Sequence, residues 1–270
     1  MRTYLHAAFT LVELSIVLTI IGLLAGGMVA GKILIHNAEL KRATNDIATF
    51  RTAMGTFEEK YNALPGDMAN AVRIWGAHAG GTTDGVDSDC ADEVAEATGT
   101  ETCNGDGNGF IANGTAQYYE AYRAWQHLAN AGLVDGHYWG NSQVSRTAQN
   151  AIPDVNAPDG RVGSGAAWQL SSFTSDQAAG ASWFFMPAGN FMTLCTFPSS
   201  DTMRPVLKPG EAWNIDTKYD DGKPGTGLVT GFPSTNAAFP NCTVNGSSNT
   251  DYKISDSSVA CAINIQFRNN

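Results

Sequence analysis

A chain of 270 residues is long enough for one good-sized core, or for one domain with a long appended element. Its formal net charge of −10 argues against nucleic acid as a general partner of the whole surface. Aromatic and β-branched residues are too plentiful for a disordered chain, and abundant Gly with sparse charge suggests a loop-rich, antiparallel, extracytoplasmic domain.

Residues 1–8 read Met-Arg-Thr-Tyr-Leu-His-Ala-Ala, and an apolar run then extends from Phe9 to Gly31. The run is long enough to span a bilayer as a helix. Apart from a few hydroxyl residues, only Glu13 interrupts its apolar character. A carboxylate deep in hydrocarbon costs roughly 2.5–3.5 kcal/mol on insertion scales, so such a residue calls for a partner. The plainer reading is a secretory signal peptide cut near Ala25-Gly26-Gly27. Against it stand a basic leader of Arg2 alone, the length of the run and the acid inside it.

The helical pattern continues beyond the span. Leu40, Ala43, Ile47, Phe50, Met54, Phe57 and Tyr61 recur at alternating steps of three and four, forming one apolar seam opposite a mixed-charge face. A single short seam beside a large domain packs on that domain more often than it forms a coiled coil. Pro65-Gly66 ends the helix. From Phe9 to Tyr61 it would reach roughly 80 Å at 1.5 Å per residue.

Residues 77–115 read as a long ordered loop rich in Gly, Asp, Thr and Ala. Residues 116–133 read as a second amphipathic helix, with Tyr118, Tyr122, Trp125 and Ala129 on one face and Gly132 as the stop. His127 on that helix has no His or Cys at ligand spacing, which argues against a metal role. Strands are expected at Trp168–Phe173, Ser182–Met186, Phe191–Phe197 and Ala260–Phe267, and a short helix at Pro209–Tyr219. In the last strand Cys261, Ile263, Ile265 and Phe267 face one way, as in a half-buried antiparallel strand. The expected fold class is α+β: a long N-terminal helix, membrane-spanning in its first half, packed on an antiparallel sheet.

The five cysteines form no C-x-x-C pair, which argues against a zinc site or a thioredoxin-like motif. Cys90 and Cys103 bracket one polar loop, and Cys242 and Cys261 another. Each pair is placed to close its loop, a closure worth about 3 kcal/mol when unstrained, and that points to an oxidising compartment. The other reading is five ordinary thiols. Cys195 lies in the apolar run Phe191–Phe197 and reads as a buried strand residue rather than a nucleophile.

No H-E-x-x-H, G-x-S-x-G, Walker loop or dinucleotide fingerprint in a strand-to-helix context occurs, so the sequence points to no enzyme. The stretch Asn104-Gly-Asp106-Gly-Asn108-Gly109 sets oxygen ligands at alternate positions before a Gly, like the first half of a calcium loop. The acid expected at the loop end is replaced by Thr115; Glu120, or Asp84, Asp87 or Asp89, could substitute in space. The plainer reading is a polar turn. Asp216, Asp220 and Asp221 form a second acidic cluster, read as a solvated helix end rather than a metal site. The Asn-x-Ser/Thr sequons at Asn113, Asn241 and Asn245 are given no weight.

Ala-Phe-Thr-Leu-Val-Glu-Leu at 8–14 resembles the cleavage and methylation motif of type IV pilins and type II secretion pseudopilins. The stretches Lys60–Asp67, Ala71–Gly76, Trp125–Leu133 and Ile215–Gly227 also resemble larger pilin-like proteins. The likeness is strongest over residues 8–76, recurs at 116–140 and 208–227, and extends to the C-terminal Cys loop. It implies that a prepilin peptidase cuts between Ala8 and Phe9 and methylates the Phe9 amine. The family most often has Gly before the cut, where this chain has Ala8. It also implies that Glu13 pairs with the N-terminal amine of a neighbouring subunit.

The implied organisation is a leader at 1–8, an N-terminal helix at 9–64 and an extracytoplasmic pilin-like head at 65–270. The implied role is a subunit of a type IV pilus, a fimbrial filament, or of a secretion pseudopilus. The implied partners are other pilin subunits and the inner-membrane assembly machinery. Before assembly the chain would cross the inner membrane once; afterwards it would lie in a surface or periplasmic filament. Many pilins carry a Pro in the span; here Gly26-Gly27 is the candidate weak point of the helix. The alternative is a membrane-anchored periplasmic binding or adhesion module that uses its N-terminus only as an anchor.

Overall fold

The computed structural model describes residues 10–77, 99–111, 118–140, 151–174, 176, 184, 186–196, 203–233, 236–245 and 250–269. By its internal contacts the chain divides into two units, Met1–Arg42 and Ala43–Asn270. Helix α1, Leu11–Tyr61, runs through the division.

In the first unit α1 carries large apolar side chains on every side from Leu11 to Ile35, with Glu13 and Lys32 as the charged residues of that stretch. Every large apolar side chain from Leu11 to Ile35 is more than half exposed. This stretch is long and apolar enough to cross a membrane.

From Ala43 onward α1 belongs to the second unit and buries one seam: Ala43, Ile47, Phe50, Met54 and Phe57, with Thr44 and Ala53 beside them. These are the positions that the three-and-four spacing selects. Arg161 pairs with Asp46 at 3.2 Å, and the Tyr219 hydroxyl donates to the Thr44 carbonyl. The helix ends at Asn62, which takes a left-handed φ of 51°, and at Pro65-Gly66. Gly66 is required where it stands: a Cβ there would lie 2.3 Å from the Glu120 carbonyl oxygen.

A single turn, α2 (Val72–Trp75), follows, then α3 (Tyr118–Asn130). Of the expected apolar face of α3, Tyr122 and Trp125 are buried, but the polar side is buried too: Arg123, Gln126 and His127 are all nearly inaccessible. The reason is that the segment around Glu101 and Thr102 lies over them. Gln126 Nε2 donates to the Glu101 carbonyl at 3.1 Å, and the Thr102 hydroxyl donates to Gln126 Oε1 at 2.6 Å.

Strands β1 (Ala166–Phe173), β2 (Gly189–Thr196), β3 (Val229–Thr230) and β4 (Ile263–Asn269) form one sheet in the order β1-β2-β4-β3, every pair antiparallel. Helix α4, Pro209–Tyr219, falls between β2 and β3 in the chain. Pro209 occupies its first turn, and the Glu211 carboxylate accepts the Lys208 N–H at 2.8 Å. The register places Trp168, Leu170, Met192, Leu194, Ile263, Ile265 and Val229 on one face. Phe50 of α1 meets Trp168 and the α3 residue Trp125 edge-on, with centroids 5.8 and 4.9 Å away.

The opposite face is also buried, which corrects the expectation of a half-buried final strand. Gln169, Thr193, Asn264 and Thr230 pair in a row across all four strands. All four are buried, and Thr193 donates to Asn264 Oδ1 at 2.6 Å. The stretch near Met186 and Ala188 covers them: Asn264 Nδ2 approaches Met186 Sδ at 3.9 Å, and Gln266 Nε2 the Ala188 carbonyl at 3.5 Å. Of the strand expected at Ser182–Met186, residues 182, 183 and 185 lie outside the described residues. Of its described residues, Phe184 and Met186 are buried, and Met186 makes only a single bridge.

Candidate functional site

At the head of α1, Thr10-Leu-Val-Glu13 closes a capping box. The Thr10 N–H donates to Glu13 Oε2 at 2.8 Å, and the Glu13 N–H donates back to Thr10 Oγ1 at 3.2 Å. The Thr10 hydroxyl also donates to Glu13 Oε2, at 2.9 Å. Within a single chain, then, the carboxylate in the apolar run is held by its own helix start. The T-x-x-E spacing is visible in the sequence and carries this signal, which reading Glu13 only as an acid in an apolar span misses. Ala8 and Phe9, the expected cleavage residues, lie outside the described residues.

The Asn104–Asn108 loop is divided among three tasks. Asn104 Oδ1 accepts the Val72 N–H at 2.8 Å and so serves α2. Asn108 Oδ1 accepts the Phe110 N–H at 2.8 Å, and the Asn108 side-chain amide donates to Asp106 Oδ2 at 2.7 Å. Asp106 is the one of the three that joins other carboxylates: Asp67, Asp106 and Glu120 bring oxygens within 4.8 Å of one another. Asp67 and Glu120 are buried, and Asp106 is exposed. Glu120 is among the distant substitutes the sequence offers. Asp67 is not, because no spacing links it to the loop. Asp84, Asp87 and Asp89 lie outside the described residues.

The loop is moulded around Asp67. Gly105 N–H donates to the Met68 carbonyl at 2.9 Å and Gly107 N–H to the Asp67 carbonyl at 3.0 Å. Asn108 N–H and Gly109 N–H each donate to an Asp67 carboxylate oxygen at 2.9 Å. A Cβ on Gly105 would lie 2.3 Å from the Gly66 carbonyl oxygen, so only Gly permits this approach. Asp106 N–H donates to Glu120 Oε1 at 3.0 Å. Burial pushes the Asp67 carboxyl up to about 6; Asp106 adds to the rise and the two backbone donors oppose it. Beside the group opens a cleft of about 490 Å³ lined in part by Glu58, Tyr61, Asp67 and Gly107. An oxygen-only donor set with one exposed member suits a hard cation such as calcium.

His127 is fully buried and packs against both Phe57 and Trp75, at centroid distances of 6.2 and 5.2 Å. Its Nδ1 accepts the Gly66 N–H at 2.9 Å, so the proton resides on Nε2, 3.0 Å from the Thr102 hydroxyl. Burial, then Arg123, lowers its pKa to about 3. This is a neutral packing histidine that ties the end of α1 to α3.

The second acidic cluster departs from the expected solvated helix end. Asp216 is fully buried, because the loop after α4 folds back over it. Cys242 and Cys261 form a disulfide. Cys103 is also disulfide-bonded, and Cys90 lies outside the described residues. Cys195 is free and buried, and burial pushes its thiol well above the usual range, so it is inert at neutral pH.

No family model, curated protein or solved structure matches this chain. The described residues define an α+β unit and one helix long and apolar enough to cross a membrane.

Proposed function

We propose that this chain is a pilin-like filament subunit, of a type IV pilus or a type II secretion pseudopilus. The observation that carries the reading is the combination of the motif at 8–14 with α1, a continuous helix that is apolar and exposed up to Ile35 and buried along one seam from Ala43. A helix whose later part packs on an antiparallel sheet is also the arrangement that the pilin resemblance implies.

In this reading the leader is cut between Ala8 and Phe9, the Phe9 amine is methylated, and the first part of α1 anchors the chain in the membrane. On assembly the helices bundle and water is withdrawn. Glu13 then exchanges its hold on Thr10 for the Phe9 amine of an adjacent chain. A buried, hydrogen-bonded charge pair fixes axial register even when its net stabilisation is modest. The role is structural, with other subunits, a prepilin peptidase and the inner-membrane assembly machinery as partners. The Asp67–Asp106–Glu120 group would hold calcium and brace the loop against the α1 end; its oxygen-only donor set supports this.

Intact mass spectrometry of the chain from its native host tests the processing. Loss of the first eight residues and gain of one methyl are expected. Retention of Met1, or a start near Met28, would contradict it.

A further inference from the structure

A group of cations stands where the apolar stretch of α1 ends. Between Lys32 and Arg42 the chain sets Lys32, Lys41 and Arg42 against the single carboxylate of Glu39, a net of +2. With a formal total of −10, the rest of the chain carries −12. All three cations are exposed, and among the described residues none of them has an ion-pair partner. The carboxylates next to them along the helix are engaged elsewhere. Glu39 stands 3.7 Å from the His36 imidazole, and Asp46 pairs with Arg161 at 3.2 Å.

Their heights fit the edge of a bilayer. Counted from Leu11 at about 1.5 Å per residue, roughly 30 Å of helix, the depth of a hydrocarbon core, ends at Gly31. Lys32 follows immediately. Lys41 and Arg42 lie about 14 Å further on, beyond a headgroup layer about 5–8 Å deep. Two effects bring their charges back toward that layer. The Cα–Cβ bonds of a helix tilt toward its N-terminus, here the apolar side, and long basic side chains can carry their charge some way from the backbone. The field of a charged surface also reaches about one Debye length, roughly 8 Å, into physiological salt.

The cations are spread round the helix as well. At about 100° per residue, Lys41 and Arg42 stand about 180° and 280° round the axis from Lys32. A second helix packed on one side meets one of these directions, whereas a layer that encircles α1 meets all three. We propose that Lys32, Lys41 and Arg42 form a collar that binds anionic phospholipid headgroups in the leaflet from which α1 emerges. The inference rests on the reading that α1 spans a bilayer. An anionic headgroup supplies the negative charge that the chain itself does not offer these side chains; a zwitterionic one brings no net charge.

The test reconstitutes the full-length chain into nanodiscs of phosphatidylglycerol and phosphatidylcholine in equal parts, and counts the lipids that stay bound on release into a native mass spectrometer. Phosphatidylglycerol should outnumber phosphatidylcholine on the parent by about twofold or more. Lys32→Gln/Lys41→Gln/Arg42→Gln should bring the ratio to parity. Lys60→Gln/Arg73→Gln/Lys218→Gln, which removes three cations of the second unit, should leave it as in the parent. Parity on the parent, enrichment kept by the collar variant, or enrichment lost in the second-unit variant would overturn the proposal. If the collar variant does not insert, Lys41→Gln/Arg42→Gln, outside the apolar stretch, decides in its place, and enrichment unchanged from the parent overturns it. Retention of the parent in phosphatidylcholine vesicles under alkaline extraction checks the spanning itself. Its extraction would remove the spanning reading and the collar with it, whereas retention with parity would remove the collar alone.

Discussion

Helix α1 is rich in apolar side chains on both sides of residue 43, but the two parts dispose of them in opposite ways. From Leu11 to Ile35 they point outward on every side, and none is buried within the chain. From Ala43 to Phe57 they collect on one seam, and the sheet and α3 cover them. At roughly 25 cal/mol per Å², the second part is stabilised by its own unit, while the first leaves its apolar area uncovered among the described residues. The contrast teaches that apolar content alone does not locate a core. A stripe at the helical period does, and an unbroken run points elsewhere.

The contrast breaks most visibly by truncation. Phe50 touches both Trp125 and Trp168 at the centre of the second unit. Phe50→Ala should cost about 3–5 kcal/mol in denaturant unfolding. Leu18→Ala, in the exposed part, should change unfolding of the second unit by less than about 0.5 kcal/mol. Equal effects would mean that the two parts do not differ as described.

Acid sharpens the comparison, because only the second part is tied to a buried imidazole. Folded His127 holds its proton far less tightly than an unfolded histidine near 6.5. The stability it permits is therefore full above pH 6.5 and is lost as pH falls toward 3, by on the order of 4 kcal/mol. The raised carboxyls of Asp67 and Asp216 act in the opposite sense, so the parent-minus-variant difference isolates the imidazole. His127→Asn, which keeps an acceptor toward Gly66, should remove that slope. An unchanged slope in the variant would refute the assignment.

A smaller effect is expected from calcium. Asp106→Ala should lower the melting temperature relative to the parent by a few degrees, and only with calcium present. Equal melting of variant and parent in calcium and in chelator would remove calcium as a stabiliser of the loop.

Much of this fold is legible in the sequence because it is local. The seam of α1, the limits of α4 and the cores of β1, β2 and β4 follow from periodicity and end signals within each segment. The failures are long-range. Nothing near Asn264 or Gln266 announces that the chain around Met186 lies over them, so β4 reads as half-exposed. The polar side of α3 reads as a solvent face because its cover comes from Glu101 and Thr102. At the candidate cation site the sequence identifies Asp106 by spacing, but Asp67 reaches it only through the backbone of a glycine-rich loop. Asn104 and Asn108 are taken by nearby N–H groups, a competition that alternate-position spacing does not reveal.

Glu13 is the one acid in the exposed part of α1, and it separates assembly from anchoring. A helix that serves only as an anchor gains from losing a carboxylate in lipid, apart from about 1 kcal/mol of capping. A helix that registers on its neighbours through that carboxylate loses its partner for the Phe9 amine. The decisive measurement is fractionation of sheared filaments and membranes from cells expressing the parent or Glu13→Ala. The account predicts normal membrane insertion and leader cleavage, with incorporation into filaments abolished or sharply reduced. Normal incorporation of the Ala variant would contradict it.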